Sequence, residues 1–263
     1  MKNIFGAAIV ALLALTGAAH AADDLRPSYD SQAADLQNED FGNVYLSGSF
    51  LYLNTSPAIT KDTEAVGFKY AHDPLDGSFG AQIDGNMNFN TSGTIGTYKG
   101  VGHITHQLGD NSKIGFAVMY DSLNNLGLAV EDLYAFNNST WVQAQIGVIG
   151  NTYSSSFPTP ATYAVGSSIN HVLNQNFSLR GDVAFWNYNQ ANLNEVDALA
   201  TLQYTLDNFP ISLSVGAGYD NLFSSTSSIS GYSADAKLQW SFGGPSNGVH
   251  GKLMRANVFG LMP

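Results

Sequence analysis

The chain has 263 residues, a formal net charge of −11, and only 12% charged residues beside 12% aromatic ones. Ordinary soluble domains carry about 25% charged residues, and a net-negative chain repels phosphates, which excludes a nucleic-acid-binding role. Cysteine is absent, so disulfides, thiol catalysis, Cys-based metal sites and a lipid-modified cysteine are excluded too.

Lys2 precedes an uncharged apolar run over 4–15, and Ala19, His20 and Ala21 supply a small-residue cleavage pattern. Residues 1–21 therefore read as a cleaved export signal. The run is short of the ~20 residues a spanning helix needs. Loss of Lys2 takes the formal charge from −11 to −12. Residues 22–42 form an acidic stretch, with Asp23, Asp24, Asp30, Asp35, Glu39 and Asp40 against Arg26 alone. The expectation is a periplasmic leader, since polar termini are seldom ordered.

From there the chain alternates apolar and polar residues, the period of a strand with two different faces. Twelve segments are predicted: 43–53, 64–73, 78–90, 95–107, 113–121, 126–136, 140–150, 161–171, 177–188, 195–206, 211–221 and 231–242. The stretches 73–77, 108–112, 137–139, 173–176 and 206–210 are compact turn sequences. Those at 151–160, 187–194 and 221–230 are longer and rich in Ser, Thr and Asn, although 91–94 and 122–125 are brief.

The last segment carries the clearest pattern. Tyr232, Ala234, Ala236, Leu238, Trp240 and Phe242 make an apolar row, and Ser233, Asp235, Lys237, Gln239 and Ser241 a polar one. This run resembles the closing strand of Gram-negative outer-membrane β-barrels, which ends in alternating apolar residues and a final Phe. The resemblance implies an all-β fold, a closed antiparallel transmembrane β-barrel spanning 43–242. It also implies an outer-membrane location with both termini periplasmic, and lipid and lipopolysaccharide as surroundings. The barrel-assembly machinery would act on the 232–242 strand. Twelve strands are expected. Residues 243–263 follow the closing Phe and are expected as a periplasmic tail able to tuck into the lumen. The alternative is fourteen strands, with Phe259 closing the barrel.

Alternation assigns the faces. Phe79, Phe89, Tyr120, Phe177, Phe185, Tyr204, Tyr232, Trp240 and Phe242 are expected as membrane-boundary aromatics. Lys69, Lys99, Lys113, Arg180 and Lys237, with Asp84, Asp121, Asp182, Asp197, Asp235 and His103, are expected to line the lumen. A lipid-facing Lys or Arg near the midplane costs about 2–4 kcal/mol, which motivates the inward placement. The sixth segment fits least well, because Glu131 and Asp132 are adjacent, and a bulge or an early exit from the membrane is expected there.

Such a lumen favours a porin-like channel for small hydrophilic solutes or ions, with charges biasing entry and no cofactor, metal or chemistry. No inserted segment long enough to fold inward is visible. The alternative is a structural or surface-contact barrel whose inner charges pair and fill it. A lipid hydrolase ranks third: His103 and Thr105 share a face, but Thr stands where such enzymes carry Ser, and that face points inward. His103 and His106 lie on opposite faces and cannot share a metal.

Overall fold

The computed structural model describes residues 40–55, 57–74, 79–89, 95–151, 162–189, 192–207, 209–242, 252–255 and 259. The expected signal and nearly all of the acidic leader lie outside them. The strands are β1 (Asp40–Leu53), β2 (Ile59–His72), β3 (Phe79–Phe89), β4 (Ile95–Gly109), β5 (Ser112–Asp121), β6 (Asn125–Asn137), β7 (Thr140–Asn151), β8 (Thr162–Val172), β9 (Phe177–Tyr188), β10 (Leu193–Thr205), β11 (Ile211–Phe223) and β12 (Ser228–Phe242). Each pairs antiparallel with its chain neighbour, and β12 returns to β1, from Gly42 opposite Phe242 to Leu53 opposite Gly231. The barrel is closed, so no strand edge is left open.

The count of twelve holds, and β12 is the closing strand. Residues 252–255 and 259 belong to no strand, so the fourteen-strand alternative is not realised. Boundaries move at several places. β1 opens at Asp40, where its carboxylate accepts a 2.7 Å hydrogen bond from Tyr70 and lies 3.0 Å from His72. β2 begins at Ile59 rather than near 64, because its first residues continue the ladder opposite Leu51 to Leu53. The bulge expected at Glu131 and Asp132 is absent. Glu131 points in and Asp132 out, in unbroken register with Gln145 and Ala144, and the shift comes between Ala135 and Asn137.

The outer wall is apolar. Leu46, Ile83, Ile104, Val130, Ile146 and Val215 are each more than half exposed. A soluble protein rarely shows so continuous an apolar surface, whereas lipid tails cover it without penalty. Aromatic pairs mark its margins. Near the compact-turn end Phe79 lies 4.9 Å from His106 and Phe177 4.9 Å from Tyr204 between ring centroids. Trp240 and Phe242 lie 6.1 Å apart at the same end. At the opposite, loop end Tyr219 meets Tyr232 at 5.8 Å. Strands of 10 to 15 residues exceed the ~9–11 that a tilted crossing requires, so their ends project beyond the apolar band.

Candidate functional site: a lumen occupied by the C-terminal segment

The inner wall carries a buried polar network. Lys69 Nζ donates to Asp84 at 2.9 Å, and Asp84 accepts from Gln82 Nε2 at 2.6 Å. His103 lies between Asp84 (Nε2, 3.6 Å) and Glu131 (Nδ1, 2.6 Å). Glu131 also accepts from Gln145 at 2.7 Å. β2, β3, β4, β6 and β7 thus each contribute one or more members. Asp84, His103 and Glu131 are at most 2% exposed. His103 therefore ties strands together beneath the lumen surface and does not face a solute path. Thr105 is buried inward as well, while His106 packs on Phe79 on the outer face. The His–Thr pair has no access to lipid.

Residues 252–255 and 259 lie inside the barrel. Met254 N donates to Gln82 Oε1 and Gln82 Nε2 donates back to Met254 O, both at 2.8 Å. On β7, Gln143 Oε1 accepts from Arg255 N at 2.9 Å, and Gln143 Nε2 donates to Arg255 O at 3.1 Å. Each glutamine amide pairs with the tail backbone as a neighbouring strand would, satisfying groups that burial would otherwise orphan. Lys113, paired with Asp73 at 2.6 Å, reaches Lys252 O at 3.4 Å near the turn end. Lys99 donates to Phe259 O toward the loop end. Lys252 therefore sits toward the turn end of the lumen and Phe259 toward the loop end.

Its side chains cover an apolar stripe of inner wall. Met254 packs with Leu133, Ala135 and Trp141. Phe259 packs with Val101, Ala117, Met119, Ala129 and Trp186. Gly127 makes room for that ring, since a Cβ there would sit 2.6 Å from it. The stripe corrects the expectation of a uniformly polar lumen. What fills the barrel among the described residues is the C-terminal tail.

Among the described residues a cavity of about 280 Å³ opens in the turn-end half. Lys69, Arg180, Lys237, Lys252, Arg255 and Asp84 are its charged lining. Arg180 Nε pairs with Asp182 at 2.6 Å, and Arg255 Nε lies 3.5 Å from the same carboxylate. Lys237 lies over the Tyr45 ring at 5.5 Å and Lys252 over Trp141 at 4.4 Å. Gly216 gives Asp235 its place, because a Cβ would fall 2.1 Å from the carboxylate. Toward the loop end the charge reverses. Asp197 and Asp220 stand opposite each other across β10 and β11, and Glu195 accepts from the Tyr188 hydroxyl. Asp121 serves the rim, accepting from Leu123 N, Asn125 N and Asn125 Nδ2 at 2.9–3.0 Å to close the β5–β6 turn.

Among the expected boundary aromatics, Phe79, Tyr120, Phe177, Tyr232 and Trp240 are exposed, and Phe89, Phe185, Tyr204 and Phe242 are half-buried. Sequence reasoning missed Glu131 as a member of the network and Asp220 opposite Asp197, and it gave none of the wall contacts of the tail. Glu131 had a usable signal: it shares a strand face with Gly127, Ala129, Leu133 and Ala135 once the register is kept unbroken.

These features define a class, the transmembrane β-barrel with a polar, partly filled interior. Solved structures place the fold among outer-membrane channels. An outer-membrane channel from Pseudomonas putida F1 aligns with a TM-score of 0.56 at 11% identity, over 83% of this chain and all of its own. The CymD monoaromatic hydrocarbon channel gives 0.55 at 9% identity, over 80% of this chain and 91% of its own. The NanC porin gives 0.52 at 13% identity, over 74% of this chain and 98% of its own. No protein-family model matches the chain, and no curated protein does.

Proposed function

We propose that the protein is a passive outer-membrane channel for small hydrophilic solutes or ions, surrounded by lipid and lipopolysaccharide, with both termini periplasmic. The observation that carries this reading is the polar cavity enclosed by a closed barrel whose outside is apolar. The channel structures with the same fold support it. Solute moves by diffusion past fixed charges, and no reaction, cofactor or metal takes part. The assembly machinery engages β12, the strand that closes the sheet. Residues 252–255 and 259 narrow the path, so conduction depends on how firmly they are held.

That same occupancy favours a second reading, a structural or surface-contact barrel that does not conduct. Single-channel recording of the refolded chain in a planar bilayer separates the two. The channel reading expects discrete conductance steps, larger in a chain lacking 243–263. It also expects Lys99→Glu to shift ion selectivity, because that side chain reaches the tail inside the lumen. A folded barrel, verified by heat-sensitive gel mobility, that conducts in neither form refutes the channel and leaves the structural role.

A further inference from the structure

The cavity is unusual in where its charges come from. Five cationic side chains line it, and two of them, Lys252 and Arg255, belong to the tail and not to the barrel wall. Asp84 is the one carboxylate in the lining, and it pairs with Lys69. Asp182 and Asp235 stand nearby, and counting them leaves five positive groups against three negative. Asp182 is shared by two guanidinium groups, at 2.6 and 3.5 Å. Lys237 and Lys252 form no ion pair with a carboxylate among the described residues; each lies instead over an aromatic ring. An ammonium resting on a ring face keeps hydrogen-bond donors free for a third group. The clustered like charges repel one another, and that repulsion is relieved when an anion enters.

We propose that the C-terminal segment completes an anion-binding site in the lumen, one that takes small carboxylates between Lys237 and Lys252, with Arg180 and Arg255 beside them. The volume of about 280 Å³ sits at the lower bound of the ~300–1,000 Å³ of small-molecule sites, which fits a compact organic acid. The wall alone supplies Lys69, Arg180 and Lys237. The glutamine clamps on Met254 and Arg255 fix the height at which the tail adds its charges. The carboxylates at the loop end set the opposite sign there, so an anion entering from the turn end meets an attractive pocket and then a barrier. This inference rests on the channel reading only for the route by which an anion arrives.

The test is calorimetric titration of citrate, with glucose as a neutral probe, into the refolded full chain in zwitterionic detergent at low salt. Citrate is expected to bind and glucose not. Lys252→Gln is expected to weaken citrate binding about tenfold, and Lys237→Gln/Lys252→Gln to abolish it. Lys61→Gln, on an exposed part of β2 outside the lumen, is the control and is expected to bind like the parent. The single Lys252 variant alters one tail side chain and leaves every strand untouched, so it remains informative if the double variant fails to fold. Absence of citrate binding to the folded parent, or equal binding by the parent and Lys252→Gln, overturns the proposal. Bilayer recording of the same samples separates the two readings. A barrel that binds citrate but conducts nothing refutes the channel and keeps the site, whereas one that conducts without binding citrate does the reverse.

Discussion

Replacement of His103 by Leu is the sharpest test of the inner network. The imidazole is 2% exposed and stands 2.6 Å from Glu131 and 3.6 Å from Asp84. Its removal leaves Glu131, 1% exposed, with the Gln145 amide as its remaining polar contact among the described residues. Breaking a buried pair from one side costs about 3–5 kcal/mol. The lower end applies, since Asp84 keeps Lys69 and Gln82 and Glu131 keeps Gln145, so the expectation is about 3 kcal/mol. Removing Glu131 as well takes away the orphaned charge, and His103→Leu/Glu131→Met should cost about 2 kcal/mol less than the sum of the single changes. Urea unfolding in detergent, followed by tryptophan fluorescence and gel mobility, reads these values. A cost for His103→Leu below about 1 kcal/mol, or single effects that add within ~0.5 kcal/mol, would refute a network that binds the strands together.

Three other outcomes are expected. Ile146→Lys places a charge on the outer wall at a residue 61% exposed to lipid and should destabilise the barrel by about 2–4 kcal/mol in the same titration. Gly127→Val puts a side chain where a Cβ alone lies 2.6 Å from Phe259; the barrel should fold normally while hydrogen exchange at residues 252–259 accelerates. Deletion of 243–263 should leave membrane insertion and heat-sensitive mobility intact, because β12 closes on β1 without the tail, and loss of insertion would show that the segment is needed for closure.

The strands were legible wherever their two faces meet different media. β12 reads cleanly because one row meets lipid and the other the polar cavity. β6 does not, because Ala129, Leu133 and Ala135 point inward under tail side chains, so both of its faces are apolar and the contrast disappears. The start of β2 was missed for the converse reason. Thr60, Lys61 and Asp62 lie beyond the apolar band and are exposed on both faces, and their pairing with β1 leaves no trace in hydropathy. The inward direction of Lys69, Asp84, Arg180 and Asp182 followed from alternation, but their partners did not, since pairing depends on register. The tail was opaque for a different reason. Gln82 and Met254 are separated by 172 residues, and Gln143 and Arg255 by 112, so no local periodicity reports the contact.

The way the tail is held bears on whether the lumen can open. Its backbone is anchored by four amide hydrogen bonds from Gln82 and Gln143, each contributing about 0.5–1.5 kcal/mol net. Together they supply about 2–6 kcal/mol, a factor of roughly 30 to 20,000 in favour of the bound segment at ~1.4 kcal/mol per tenfold. Packing of Met254 and Phe259 adds to this. The wall itself is fixed by twelve antiparallel ladders and a buried ion network, which do not open on that scale. The lumen therefore combines a rigid wall with an insert held by these neutral bonds and by the charged contacts of Lys99, Lys113 and Arg255. Gln82→Ala/Gln143→Ala removes those bonds without changing any charge. Because Gln82 also donates to Asp84, the expected result is a modestly lowered barrel melting temperature, faster exchange at Met254 and Arg255, and larger conductance. An exchange rate equal to that of the parent would mean that apolar packing and the charged contacts of Lys99, Lys113 and Arg255 hold the segment in place.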